Sequence, residues 1–385
     1  MRYKLGFCTS AVCSALYFTS ISAFADINFN GFARIAAGTT LESNEAVMGY
    51  KDSLDFKNES LFALQASANL DDGLSATAQF MSRGRDDFEV DVEWAYLSYE
   101  LTDSTRINAG RLRLPFFRYS DFLDVGYAYT WVRPPQAVYD LPYSSYDGLS
   151  ILHSTTLGDF DIEVQGTLGT ASEEIEVEGT PANTELDDLY GLNLSATYDW
   201  LYLRAVYMIG QASFDISNPQ LNQLLQALML TGNSNAAEQI KVDSDSSSFA
   251  GIGFGVDKSD WIFQGEITQT KVDDSFIADR YRSYVSLAHR FDVLTPYITY
   301  QKIDDKANPT GYNLAVESGV LPADVLAGIK TFLQSQEQDA EGEYYSIGTR
   351  YDFHPSASFK ADLTIWNGEY TQDAQVISFA VDMVF

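Results

Sequence analysis

Residues 376–385, VISFAVDMVF, end the chain on ten residues that carry a single charge. Alternate positions separate into Ile377, Phe379, Val381, Met383 and Phe385 on one face and Ser378, Ala380 and Asp382 on the other. A period of two is that of extended backbone, so the stretch predicts a strand with one strongly apolar face. Such a face must be covered by protein or immersed in lipid.

The opposite end supplies the context. Residues 1–25, MRYKLGFCTSAVCSALYFTSISAFA, open on Arg2 and Lys4, continue through an apolar, hydroxyl-rich run and finish on the small-x-small group Ala23, Phe24, Ala25. This is the form of a secretory signal peptide cleaved after Ala25, which leaves 26–385 as one domain. A spanning helix fits less well, because Ser and Thr interrupt the apolar run. Cys8 and Cys13 both lie in the leader, so the mature chain is expected to have no disulfide and no thiol chemistry.

The full chain of 385 residues has 24 basic and 54 acidic side chains, a net charge of -30. A balance this negative argues against nucleic acid as a partner. Disorder is opposed by 24 Tyr, 24 Phe and 5 Trp and by a hydrophobic content of 45%.

The alternation seen at the end recurs throughout. In residues 27–38, INFNGFARIAAG, apolar Ile27, Phe29, Ala33 and Ile35 alternate with Asn28, Asn30 and Arg34. Residues 59–84 form a hairpin pattern: Phe62, Leu64, Ala66 and Ala68 lead to the turn Asp71-Asp72-Gly73, and Leu74, Ala76, Ala78 and Phe80 lead away from it. Sixteen such strands are expected, from 26–38 and 54–70 through to 358–367 and 374–385. Their connections alternate along the chain. Short turns such as Thr102-Asp103-Ser104 and Gly158-Asp159 take turns with mostly long loops, at 39–53, 116–146, 172–186, 214–245 and 304–342. The expected fold is therefore all-β: a sixteen-stranded antiparallel transmembrane β-barrel with short turns on one rim and long loops on the other. Strand sixteen then closes on strand one, because an unpaired edge is not tolerated in hydrocarbon. Aromatics near strand ends, among them Tyr202, Trp261, Phe291, Tyr297, Tyr351 and Phe385, are expected in girdles at the two membrane interfaces.

In its leader, its strand and turn rhythm, its long third loop after AGRLRLPF (109–116) and its terminal Phe385, the chain resembles the sixteen-stranded bacterial porins over the whole mature length. DGLSATAQF (72–80), VEWAYLSYEL (92–101) and AGRLRLPFF (109–117) are similar to the group that includes phosphate-selective and other substrate-selective porins. The resemblance implies an outer-membrane channel for small hydrophilic solutes, a homotrimer, a third loop folded inward to narrow the pore, and a C-terminal strand read by the assembly machinery. The chain departs from the phosphate-selective members in having no lysine cluster in its strands or third loop.

With the apolar face turned to lipid, parity places Arg34, Arg83, Arg111, Arg113, Arg204, Arg282, Arg350 and Lys360 toward the lumen, with Glu93 among the acids opposing them. Inward placement also follows simply from the cost of a charge on the lipid face, roughly 2–4 kcal/mol at mid-depth. Arg111, Arg113, Arg118 and Arg133 form a cluster, the first two where strand five meets the third loop and the others within that loop. Two roles fit them: lining a constriction, or pairing with Asp121, Asp124 or Asp140 to hold the loop down. The Tyr, Trp and Pro of that loop fit either a slide for sugars or packing against the wall, and packing is favoured. Helix-like stretches at 219–230 and 321–333 are expected to pack together over part of the pore mouth.

Two other function classes fit the sequence less well. A barrel hydrolase would have only His153, His289 and His354 as bases, with no nucleophile motif beside them, so no enzyme and no cofactor is expected. A structural or adhesive barrel would differ from a channel in lacking conductance. No metal-ligand spacing is present, although the acidic runs DSDSSS (243–248) and EQDAEGE (337–343) fit Ca²⁺ bridging to lipopolysaccharide.

Overall fold

The computed structural model describes residues 26–43, 45–177, 180–216, 219–306, 308–319, 321–323, 325–328, 330–331, 341–369 and 372–385; the expected leader lies outside them. The first strands are Asp26–Thr40 (β1), Leu61–Asn69 (β2), Leu74–Arg83 (β3) and Val90–Thr102 (β4). Next come Thr105–Arg113 (β5), Ser145–Leu157 (β6), Phe160–Val177 (β7) and Thr180–Tyr198 (β8). Leu201–Ile216 (β9), Val242–Lys258 (β10), Trp261–Val272 (β11) and Asp279–His289 (β12) follow. Leu294–Lys306 (β13), Glu341–His354 (β14), Ala357–Gly368 (β15) and Ala374–Val384 (β16) complete the set.

Each strand pairs antiparallel with its chain neighbours, and β16 pairs with β1, so the sheet is a closed barrel of sixteen strands. Closure removes both edges, the condition for crossing lipid with strands. The terminal strand has the faces expected of it: Ser378 and Asp382 are buried inward, whereas Phe379 is 37% exposed on the outside. At the seam the backbone of Phe385 exchanges two hydrogen bonds with Gly31, at 2.8 and 2.9 Å. The Phe385 ring stacks on Phe62 with centroids 5.9 Å apart and lies where a side chain at residue 31 would begin, which explains the glycine. At the first tight turn Asp71 and Asp72 adopt φ of 68° and 50°, a left-handed backbone that Asp tolerates better than branched residues.

Four expectations need correcting. β2 begins at Leu61 rather than near 54, because Asp55 makes only an isolated bridge to Gly38 and residues 56–60 then leave the ladder in local turns, Ser60 N–H donating to the Lys57 carbonyl. The stretch 172–186, expected as a long loop, instead continues β7 and β8 as a paired hairpin reaching Val177 opposite Thr180. Beyond the lipid both faces of a hairpin meet water, so its acids hide the alternation that would reveal it. Tyr297 and Tyr202, expected in the girdles, point inward: Tyr297 donates to Asp362, and Tyr202 lies under Arg118. In the loop after β13 the described helix is Thr310–Glu317, while the stretch 321–333 lies partly outside the described residues.

Helices Pro219–Leu230 (α1), Ser234–Glu238 (α2) and Thr310–Glu317 (α3) belong to the two long loops. Leu228, Ala236, Ala237, Ile240, Ala315 and Leu321 are buried together, with Val325 and Leu326 against them. The two loops thus share an apolar cluster on the long-loop rim.

Candidate pore

The connection between β5 and β6, residues 114–144 (L3), does not extend outward. It folds into the lumen, and its composition explains why it stays there. Phe116 and Phe117 pack on Phe249 of β10 with centroids 4.7 and 5.6 Å apart. Trp131, 2% exposed, lies edge-on to Tyr284, and its indole N–H donates to Ser286 Oγ at 2.9 Å and Thr299 Oγ1 at 3.0 Å. Beneath the loop the inward face of the wall is itself apolar, with Leu186, Leu189, Val206 and Met208 all buried. A lumen built only for water would carry polar residues at those positions. The loop's aromatics therefore pack it against the wall.

The inward cations meet this loop almost one by one. Arg34 Nε donates to Asp382 at 2.6 Å and its Nη2 to the Tyr129 hydroxyl at 3.1 Å. Lys360 donates to the carbonyls of Gly126 at 2.6 Å and Trp131 at 2.7 Å, and lies 3.2 Å from Asp382. Arg350 reaches the carbonyls of Tyr127 and Tyr129, at 2.7 and 3.0 Å. Arg204 donates to the carbonyls of Phe116, at 2.8 Å, and Pro115. Arg113 holds the Ser120 carbonyl at 2.9 Å and Asp124 at 2.6 Å, and shares Glu93 with Arg83, which is itself 2.7 Å from that carboxylate. Arg282 ties Asp140 at 2.7 Å to the wall acid Asp305 at 2.8 Å.

Two loop arginines reach outward. Arg133 grips Glu59, at 2.6 and 2.8 Å, and Ser378, at 2.5 Å. Arg118 donates its backbone N–H to Glu266 at 2.9 Å and its guanidinium to Gln264 at 3.0 Å.

Arg34, Arg204 and Lys360, expected on the pore surface, are inward but covered by L3, since carbonyls and carboxylates of a buried loop need donors beneath them. Arg111 is the exception: half-exposed, it pairs at 3.2 Å with Asp147. Asp121 remains exposed and forms no ion pair among the described residues. Glu59 and Asp305 were not anticipated. Asp305 follows from parity once β13 is known to run past 303, whereas Glu59 sits in a turn with no periodic signal.

Arginines decide the charge of the anchoring carboxylates. Burial pushes the Asp124 carboxyl up, but Arg113 and Arg83 outweigh it and hold it down to about 2. Glu59 likewise is pushed up by burial and held below the usual range by Arg133.

L3 separates two water-accessible spaces. A cavity of about 970 Å³ on the long-loop side is lined by Arg83, Asp91, Glu93, Arg111, Glu173 and Glu174, among others. One of about 510 Å³ opens on the short-turn side, with Arg118, Asp199, Asp257, Arg290 and Asp352 in its lining. Among the described residues no group of three or more His, Cys, Asp or Glu could hold a metal ion. Of the acidic runs, 243–248 falls within β10 and 337–340 lies outside the described residues. No histidine forms an ion pair with a carboxylate among the described residues; His153 contacts Thr105, and His289 lies edge-on to Trp261.

The Gram-negative porin family model matches residues 9–371. No curated protein matches the sequence. Among solved structures the chain is similar to a loop L8 deletion mutant of OmpT, an outer membrane protein of Vibrio cholerae, with 13% identity and a TM-score of 0.59, covering 94% of this chain and 99% of that one. It is similar to the anion-selective porin of Comamonas acidovorans, with 10% identity, a TM-score of 0.57 and coverage of 94% and 100%. A trimer form of the Vibrio cholerae OmpT aligns with 11% identity, a TM-score of 0.51 and coverage of 94% and 99%. At such identities these structures speak to the fold, and it is the family match over nearly the whole length that carries the assignment. The chain belongs to the Gram-negative porin family, and its barrel is an outer-membrane channel for the diffusion of solutes.

Proposed function

We propose that this porin passes small hydrophilic solutes and ions under a size limit set by L3, with a modest preference for cations. The supporting observation is how charge is divided. Arg34, Arg83, Arg113 and Arg133 around the larger cavity each face a carboxylate at hydrogen-bonding distance. Asp91, Glu173 and Glu174 line the same cavity and form no ion pair among the described residues. A permeating cation therefore meets uncompensated carboxylates, while an anion meets arginines that are already neutralised. The reversal potential in a KCl gradient across a planar bilayer tests this; a value of zero, or one with the anion sign, overturns it.

In this reading the barrel does no chemistry, and ester or peptide hydrolysis by the pure protein would contradict it. Residues 1–25 are read as the export signal, so the mature N-terminus is expected at Asp26. Lipid and lipopolysaccharide are the partners of the outer face and the acidic loops. The barrel is read as one of three in a trimer. The trimer form of OmpT supports this, as does a shallow depression on the outer face of β2 to β5 lined by Ala66, Ala68, Ala76, Ala78, Ala95 and Ala109. Small residues let two apolar surfaces approach closely in lipid.

A further inference from the structure

A third lumenal space, of about 580 Å³, lies between the returning limb of L3 and the wall formed by β8 to β12. It differs in kind from the two aqueous cavities. Leu189, Met208, Phe249 and Val272 form its wall, and Leu141 and Pro142 of L3 cover one side. A space of this size and lining favours an apolar body over water.

One cation enters it without a partner. Arg280 lines the cavity, and its guanidinium makes no hydrogen bond or ion pair with any described residue. Its cross-strand neighbour is Asp305, which by register alone would neutralise it. That carboxylate instead turns to Arg282, donating atoms Nε and Nη2 lying 3.3 and 2.8 Å away, and Arg282 also takes Asp140. Asp140, Arg282 and Asp305 line the same chamber, and both carboxylates are hydrogen-bonded to Arg282, so Arg280 stands at its edge as a guanidinium whose donors are not taken up by a described carboxylate.

We propose that this chamber binds an amphipathic monoanion, a carboxylate or sulfonate on an apolar body of about six to ten carbons, with the head on Arg280 and the body against the half-buried Leu141, Phe214 and Ile277. A guanidinium fork suits such a head group by bidentate hydrogen bonding. The inference rests on the channel reading, because the chamber opens within the lumen. The acids of the larger cavity disfavour small anions, so an anion held here must gain from apolar contact. Head group alone is then insufficient, and a short carboxylate becomes the natural control.

The test uses the full mature protein in planar bilayers and in lipid nanodiscs. Octanoate is expected to interrupt the KCl current of wild type, and acetate at the same concentration is not. Arg280→Gln and Ile277→Asn should each weaken the octanoate block about tenfold, the scale of one charge-assisted hydrogen bond or of lost apolar contact, with the unblocked conductance retained. In nanodiscs carrying methyl-labelled methionine, the Met208 signal should shift saturably with octanoate in wild type and not in Arg280→Gln. Equal effects of octanoate and acetate, or a block and shift that survive in both variants, would overturn the proposal. Absence of any KCl current would sink the channel reading, while a saturable Met208 shift would still support the site.

Discussion

Asp382 stands between Arg34 at 2.6 Å and Lys360 at 3.2 Å, and all three are almost wholly buried beneath L3. Replacing it with Asn leaves two buried cations facing one another without a counter-charge, a change expected to cost about 3–5 kcal/mol. Urea unfolding of the refolded barrel should show that loss, and an unchanged midpoint would mean the pair is hydrated. Gly126 adjoins the same trio: a Cβ there would run into the Asp382 carboxylate and the Arg34 guanidinium, so Gly126→Ala should unseat L3 as well. Asp124 gives the pH dependence. Its folded value of about 2 lies below the roughly 3.9 of an unfolded aspartate, so its anchoring contribution is complete above pH 4 and disappears as pH falls from 4 to 2. Current noise from a loosened loop should therefore appear only in that acid window. Asp124→Asn should bring the noise to neutral pH, whereas noise beginning near pH 6 would implicate another group. At this scale, parity made the inward direction of Arg34, Lys360 and Asp382 legible in the sequence. Their partners in L3 were not, because the path of that loop has no period to read.

Among the elements, the strands were legible wherever one face met lipid and the other water, since a one-residue slip would reverse every side chain. Legibility failed where that asymmetry ends. The β7 and β8 extension carries Glu173, Glu174 and Glu185 into solvent on both faces and so looks like a loop. L3 failed differently: its aromatics were conspicuous, but the apolar wall that receives them is assembled from β8, β9 and β10, single positions that look anomalous only after the barrel is closed. Trp131, the largest fully buried side chain among the described residues, seats the loop on β12 and β13 instead. Trp131→Ala should remove about 3–5 kcal/mol of packing and release the indole's hold on Ser286 and Thr299. The expected result is a barrel that still folds, with larger and noisier single-channel currents. Glu173→Gln with Glu174→Gln addresses the hairpin instead, and should move the reversal potential toward zero with little change in conductance.

The whole molecule presents lipid with an apolar belt, yet that belt is not uniform. Around most of the circumference large residues stand out, such as Ile252, Ile267, Ile298 and Ile347. On β2 to β5 a cluster of outward alanines, Ala66, Ala68, Ala76, Ala78, Ala95 and Ala109, instead encloses a shallow hollow of about 440 Å³ among the larger residues. Lipid chains are as apolar as any side chain, so the hydrophobic effect does not favour one surface over the other; close van der Waals contact does. A second barrel can fit against the alanine face only while it stays small. Ala78→Leu together with Ala95→Leu enlarges that face without touching the lumen or introducing a polar atom. The double variant should lose the slowly migrating species on unheated gels and run as a single barrel. Each remaining barrel should conduct like one third of the wild-type unit, because L3 is anchored by residues of its own chain. If the slow species survives, copies meet through another sector of the wall; if it disappears together with conductance, L3 depends on its neighbours after all.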